Sequence, residues 1–319
     1  MRETMEWLAA ELAEEQAAIL VTVTETEGTT PRKAGAMMVV LEDGSADGTI
    51  GGGSVEYEAL ELCEELLRQG ESAIRTFRYV QGDGDRADGT VTLHFQYLDG
   101  GMLWTIQQMA EWAADSKGVW LLRKFQGARV TETAVAALGD WDPEMLQERA
   151  VWKDGWLSVM VERPGRLYIF GGGHVASCLA EAAARAGFRV VVYQGWRPEE
   201  VWERFRFAEK ILCGPFSEVY RQVTLTEHDF AVVLTSDPQT DYEVLKQILS
   251  ENVQYIGCIG SKRKLSACRE RLLADGFRQE QWDRVHAPIG LDIGAETPEE
   301  LAVAITAELI AVRRDALRR

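Results

Sequence analysis

Cysteine is scarce and scattered. The five in 319 residues (Cys63, Cys178, Cys213, Cys258 and Cys268) include no CxxC pair. That excludes a disulfide framework and a Cys-rich zinc site, and it fits a reducing compartment. The 4 histidines are too dispersed to build a metal centre, so none is expected. HExxH, GxSxG, the phosphate-binding GxxxxGK[ST] and the EF-hand loop are all missing. No apolar run approaches the ~18 residues of a spanning helix. Met1 to Ala18 is studded with Glu and lacks an apolar h-region, so it does not read as a secretory signal. A cytoplasmic protein is expected. Positive charge is in deficit: 34 Lys+Arg stand against 51 Asp+Glu, a formal net charge of −17. Such a field repels phosphate backbones and anionic lipid, so neither nucleic acid nor membrane is an expected partner. With 8 prolines and 46% hydrophobic residues the chain is neither fibrous nor disordered, and its length suits two domains.

The pattern divides in two. Residues 1–126 read as a mixed α/β domain: a helix at Met1–Gln16, strands at Ala18–Thr26 and Ala36–Glu42, and a helix from Ser54 to Gln69 stopped by Gly70. Strands at Ser72–Tyr79 and Thr90–Tyr97, a helix near Trp104–Ala114 and a strand at Gly118–Phe125 follow. Residues 127–164 lack clean periodicity and are expected to be strands or loops in a connecting segment, ended by the breaker Arg163-Pro164-Gly165. In 165–319 short β-branched runs (167–170, 190–193, 211–213, 230–235, 255–259) alternate with helical stretches (175–186, 242–250, 262–275, 298–314). That alternation predicts a Rossmann-like, doubly wound parallel sheet.

Four turns have the chemistry of anion sites. Strand Arg166–Phe170 runs into Gly171-Gly172-Gly173-His174-Val175-Ala176 and then a helix, a GxGxxA turn that lets a phosphate approach helix N–H groups. His174 is a ligand donor or a plain helix-start residue. A NAD site wants an acid about 20 residues on. Gln194 stands there instead, and Arg197 is the nearest cation for a 2′-phosphate. Gly51-Gly52-Gly53-Ser54 precedes the first-domain helix, with Ser54 as the expected N-cap and Glu56 in the first turn. Thr29-Thr30-Pro31-Arg32-Lys33 is a polar loop with two cations, either a ligand wall or a solvated turn. Gly260-Ser261-Lys262-Arg263-Lys264 crowds three cations at a helix start, where the dipole disfavours them, which suits an anionic ligand or an acidic partner. Asp292, in Pro288–Gly294, is the one side chain of that loop with chemical possibilities, and Thr297-Pro298-Glu299-Glu300 reads as a capping box.

Taken together, these blocks resemble the XdhC/CoxI family, the xanthine dehydrogenase accessory factors of bacterial molybdenum enzymes. Gly28-Thr-Thr-Pro-Arg32 with Gly35-Ala-Met37, Gly48-Thr-Ile-Gly-Gly-Gly-Ser-Val-Glu56 and Phe170-Gly-Gly-Gly-His-Val-Ala176 carry the likeness, with Tyr255-Ile-Gly257, Ile259-Gly-Ser-Lys-Arg-Lys264 and Pro288-Ile-Gly-Leu-Asp-Ile-Gly294. The resemblance implies a chaperone that binds the molybdenum cofactor (molybdopterin), shelters its sulfurated form and passes it to an apo-xanthine dehydrogenase-type molybdoenzyme. A cysteine desulfurase would supply the sulfur, and a homodimer is a possible assembly. Cofactor is expected in a cleft between the domains, held by Gly171, Gly172, Gly173 and His174 and faced by Gly52, Gly53, Ser54 and Arg32. Gly260, Ser261, Lys262, Arg263 and Asp292 stand in a second tier. The sequence departs from the family where Ser54 replaces a frequent cysteine, and near Ala87-Asp88-Gly89, where a Cys-Gly-Gly motif is missing. A hydroxyl is neither a soft metal ligand nor a sulfur relay. The alternatives are an NAD(P)-dependent oxidoreductase or a non-catalytic nucleotide-binding module.

Overall fold

The computed structural model describes residues 2–79, 89–114, 117–195 and 202–315. The chain divides into two compact units, Met1–Pro164 and Gly165–Arg319.

In the first unit, chain order is α1 (Arg2–Ala13), β1 (Ala18–Gly28), β2 (Met37–Leu41), β3 (Ala46–Gly48), α2 (Gly53–Gln69), β4 (Ala73–Tyr79) and β5 (Gly89–Leu98), then α3 (Leu103–Ala113), β6 (Lys117–Gln126), β7 (Arg129–Ala137), β8 (Val151–Lys153) and β9 (Trp156–Pro164). The first five strands form one sheet in the order β3-β2-β1-β5-β4, and all its pairings are antiparallel. β1 is apolar without alternation because both faces are covered. Ile19, Val21 and Val23 pack with Val55, Ala59 and Cys63 of α2, while Ala18 and Leu20 share a core with α1 and α3. Gly70 closes α2 in the left-handed conformation, φ 68°, its N–H reaching the Leu66 and Leu67 carbonyls.

Residues 127–164 are not a connector. They supply β7, β8 and β9, which join β6 in an antiparallel sheet of order β7-β6-β9-β8. β6 is buried through Val119–Leu122, so its backbone groups need a partner strand on each side. The weak periodicity of the segment follows from strands only partly buried on one face.

The second unit continues with β10 (Leu167–Phe170), α4 (His174–Arg185), β11 (Val190–Gln194), β12 (Lys210–Cys213), β13 (Phe230–Val233), α5 (Pro238–Ile248), β14 (Tyr255–Cys258), α6 (Lys262–Ala274), α7 (Gln279–Trp282), β15 (Val285–His286) and α8 (Pro298–Asp315). Its six strands are all parallel, in the order β12-β11-β10-β13-β14-β15. Numbered within the unit this is 3-2-1-4-5-6, the doubly wound Rossmann order. α4 buries Ala176, Leu179, Ala180 and Ala183, one stripe at helical spacing, against the sheet face that α8 also covers. α5 and α6 cover the other face through Val244, Leu245, Ile248, Leu265 and Leu272. Each fully buried leucine contributes about 2–3 kcal/mol of burial.

Candidate functional site

In a doubly wound sheet, ligands sit outside the carboxyl ends of the strands, where the order reverses. Here the reversal lies between β10 and its neighbours β11 and β13, and a cavity of about 440 Å³ opens there. The glycine turn and the first turn of α4, Gly171 to Ala176, form one wall. Leu234, Thr235, Ser236 and Thr240, at the end of β13 and the start of α5, form another, with Gly195, Phe216 and Ile259 completing the lining.

The three glycines have separate reasons. Gly171 has φ 140°, and a Cβ on it would overlap the Leu234 carbonyl oxygen. No side chain fits while β10 and β13 stay paired. A Cβ on Gly172 would sit 3.0 Å from Gln194 Oε1, whereas around Gly173 there is open space. Gly173 is the N-cap of α4, with ordinary extended backbone and no side chain bonded back to the helix. The first-turn N–H groups of α4 are therefore left for whatever enters the cavity. His174 is exposed beside them, and its carbonyl accepts from Ser177 Oγ at 3.0 Å.

Gln194 is fully buried under the glycine turn, its amide nitrogen 3.4 Å from Cys213 Sγ. The position that carries a ribose-binding acid in NAD sites thus supplies no carboxylate here. Arg197 lies outside the described residues, as do Ala87 and Asp88.

The first-unit loop is different. Glu56 folds back, and its Oε2 accepts from Thr49 Oγ1 at 2.6 Å and from the Ile50 and Gly52 amides at 3.0 Å. Burial pushes this carboxyl up, but those hydrogen bonds outweigh it and hold its pKa below the ordinary value. The anion nest read from Gly51–Ser54 is thus filled by the chain's own carboxylate. Gly52, not Ser54, is the N-cap of α2, and Ser54 sits exposed in the first turn beside the exposed Gly53. The Thr30–Arg32 turn abuts this loop, since Pro31 would lie 3.1 Å from a Cβ on Gly51, and Arg32 itself is exposed.

Of the second-tier residues, Ser261 is a helix cap, its hydroxyl accepting from the Lys264 amide at 3.3 Å. Lys262 and Arg263 are exposed on the first turn of α6, and Gly260 follows the cavity residue Ile259. Asp292 is exposed and not among the cavity residues.

The sequence did not single out Thr235, Ser236, Thr240 or Phe216. Thr235-Ser236-Asp237-Pro238 was a readable signal, a hydroxyl-rich turn between a buried strand and a Pro-started helix. Lys264 also differs from its two cationic neighbours. It turns inward, with Nζ 2.6 Å from Oδ2 of Asp241, which is 2% exposed. Of the thiols, burial pushes Cys63 up to about 12 and Cys268 to about 11, and raises Cys258 further still. Cys178 is also raised, by burial and then by Glu299.

Comparison with known proteins agrees with this geometry. Residues 167–309 match the XdhC Rossmann domain, and residues 11–79 match the XdhC and CoxI family. A protein of Bacillus subtilis (strain 168), named as a probable xanthine dehydrogenase component, is 28% identical over 96% of this chain and 96% of its own. The "Molybdenum cofactor insertion chaperone PaoD" of Escherichia coli (strain K12) is 25% identical over 93% of this chain and 83% of its own. A crystal structure of a protein described as a xanthine dehydrogenase from Bacillus halodurans superposes with a TM-score of 0.80 at 25% identity, covering 98% of this chain and 96% of that one. Two family models in chain order, full-length relatives and a shared fold lead to one conclusion: the chain belongs to the XdhC/CoxI family.

Proposed function

We propose that this protein is an accessory factor that binds the molybdenum cofactor, protects its sulfurated form and delivers it to an apo-enzyme of xanthine dehydrogenase type. The observation that carries the reading is the uncapped start of α4, opening on a cavity at the strand-order reversal. Molybdopterin bears a phosphate, and free N–H groups at the positive end of a helix are a site for one. The cavity also offers an aromatic surface, Phe216, to a flat ring. The name of the PaoD relative supports the same cargo.

In this role the protein's own residues bind, orient and exclude water. Gly173 and the first-turn amides of α4 hold the phosphate, and Gly171 and Gly172 let it come close to backbone. Sulfur carriage by Ser54 forms no part of the proposal, because its hydroxyl is not a sulfur relay. The sulfur is assigned to a cysteine desulfurase acting before hand-off. An NAD(P) role is disfavoured by Gln194, which is buried and turned to Cys213.

The test is anaerobic mixing with molybdenum cofactor, gel filtration, and fluorescence of the oxidised pterin that co-elutes. Wild type is expected to retain near-stoichiometric pterin. Gly173→Asp supplies a carboxylate that caps α4 itself, so this variant should stay folded and lose most of the pterin. A folded wild type that elutes bare would refute the proposal.

A further inference from the structure

The cavity beside the glycine turn sets donors on one wall against two accepting threonine hydroxyls on the other, with the exposed Ser236 beside them. The start of α4 offers donors. On the facing wall, both threonine hydroxyls have already committed their protons. Thr235, 8% exposed, donates through Oγ1 to Asp241 Oδ1, with the Asp237 carbonyl at 3.1 Å as the competing acceptor. Thr240 donates through Oγ1 to Asp237 Oδ2 at 3.0 Å. A hydroxyl has one proton and two lone pairs, so each of these can only accept from a ligand. Buried chemistry fixes that polarity. Lys264 Nζ, 2.6 Å from Asp241 Oδ2, favours the ionised carboxylate that accepts from Thr235, against a burial that holds the Asp241 pKa above its ordinary value. Asp237 is locked as the N-cap of α5, its Oδ2 taking the Thr240 amide at 2.9 Å. The α5 terminus is thereby closed to a second anion.

We infer that the cavity selects a singly phosphorylated heteroaromatic ring carrying an exocyclic amino group, with the phosphate at α4 and the amino group donating to Thr235 and Thr240. The inference rests on the proposal that this cavity is the ligand site, and it adds what the ligand must present there. Two sources share this chemistry, an aminopterin ring and an adenine nucleotide.

Four monophosphates separate them by calorimetric titration of the full chain. They are 6-hydroxymethylpterin phosphate, its lumazine counterpart in which an oxo group replaces the amino group, AMP, and inosine monophosphate. In at least one pair the amino compound should bind about tenfold tighter than its oxo counterpart, the usual scale for one buried hydrogen bond. Thr235→Val should erase that difference and Thr235→Ser should keep it, with the fold of each checked by circular dichroism. Discrimination by AMP over inosine monophosphate, with neither pterin probe bound, upholds the inference and removes the molybdenum-cofactor reading. Pterin phosphate bound as tightly as its lumazine counterpart, with AMP no tighter than inosine monophosphate, keeps that reading and overturns the inference. Equal binding within both pairs, or no binding of any probe, overturns it outright, and the wild-type comparison needs no variant.

Discussion

Gly171 and Gly173 lie two residues apart in one turn and tolerate change very differently. Ala at 171 must take φ 140° and overlap the Leu234 carbonyl. Gly171→Ala should therefore cost on the order of 3 kcal/mol and show as a clear drop in Tm. Gly173→Ala meets open space at an ordinary φ of −80° and should unfold close to wild type. Equal Tm losses in the two would mean that the turn is set by something other than the β10–β13 contact. In the first unit, Arg123 is fully buried, with no carboxylate beside it among the described residues. It donates to Thr22 Oγ1 at 3.0 Å and Gln96 Oε1 at 3.1 Å, and lies 3.4 Å from His94 Nδ1. Burial and then the Arg123 charge push His94 down to about 3. A folded-state pKa below the unfolded value means that His94 adds stability above pH ~6.5. That stability is lost as pH falls toward 3, at about 1.4 kcal/mol per unit. Denaturant melts of wild type and His94→Gln should diverge by one proton's slope in that window. Parallel curves would clear His94 of the role.

At the scale of elements, the deciding feature is how each helix start is closed. α5 is capped by Asp237, α6 by Ser261 and α8 by Thr297, whose Oγ1 accepts from the Glu300 amide at 3.2 Å. α2 is closed by Glu56 folding back. Among the described residues of the parallel sheet's carboxyl edge, α4 alone of α4, α5, α6 and α8 lacks such a group. Ser261→Ala should cost about 1 kcal/mol of stability, the usual worth of a cap, and leave phosphate-ligand affinity unchanged. An affinity loss with no change in Tm would move that loop into the ligand site. The glycine turns before α2 and α4 look alike in sequence. What separates them is whether a carboxylate two or three residues into the helix can curl back onto the loop. Glu56 can, and the corresponding stretch of α4, Val175-Ala176-Ser177, holds no acid.

For the whole molecule, the hydrophobic cores respect the division at 164/165. The clusters around β10–β15 draw only on residues after 165, and those around β1–β9 only on residues before it. Residues 165–319 expressed alone are therefore expected to melt cooperatively, as followed by far-UV circular dichroism. A non-cooperative melt would show that this half needs the other. The fold class was legible in sequence because the rhythms along the chain differ. Helix–strand alternation with β-branched runs is a local property, and so are the strand-turn-helix at Phe170–Ala176 and the glycine stop at Gly70. Those features follow from backbone preferences and side-chain periodicity over a few residues. Which strands become neighbours is settled by packing between residues far apart in the chain. β10 pairs with β13, some sixty positions later, and that pairing brings Thr235 and Thr240 to face the glycine turn. The same holds for the inward turn of Lys264 onto Asp241, the burial of Gln194 and the strand identity of residues 127–164. Sequence alone determined the fold class and the glycine turn before α4. Tertiary structure decided which turn stays open and what faces it, because both depend on contacts that no local stretch of the chain contains.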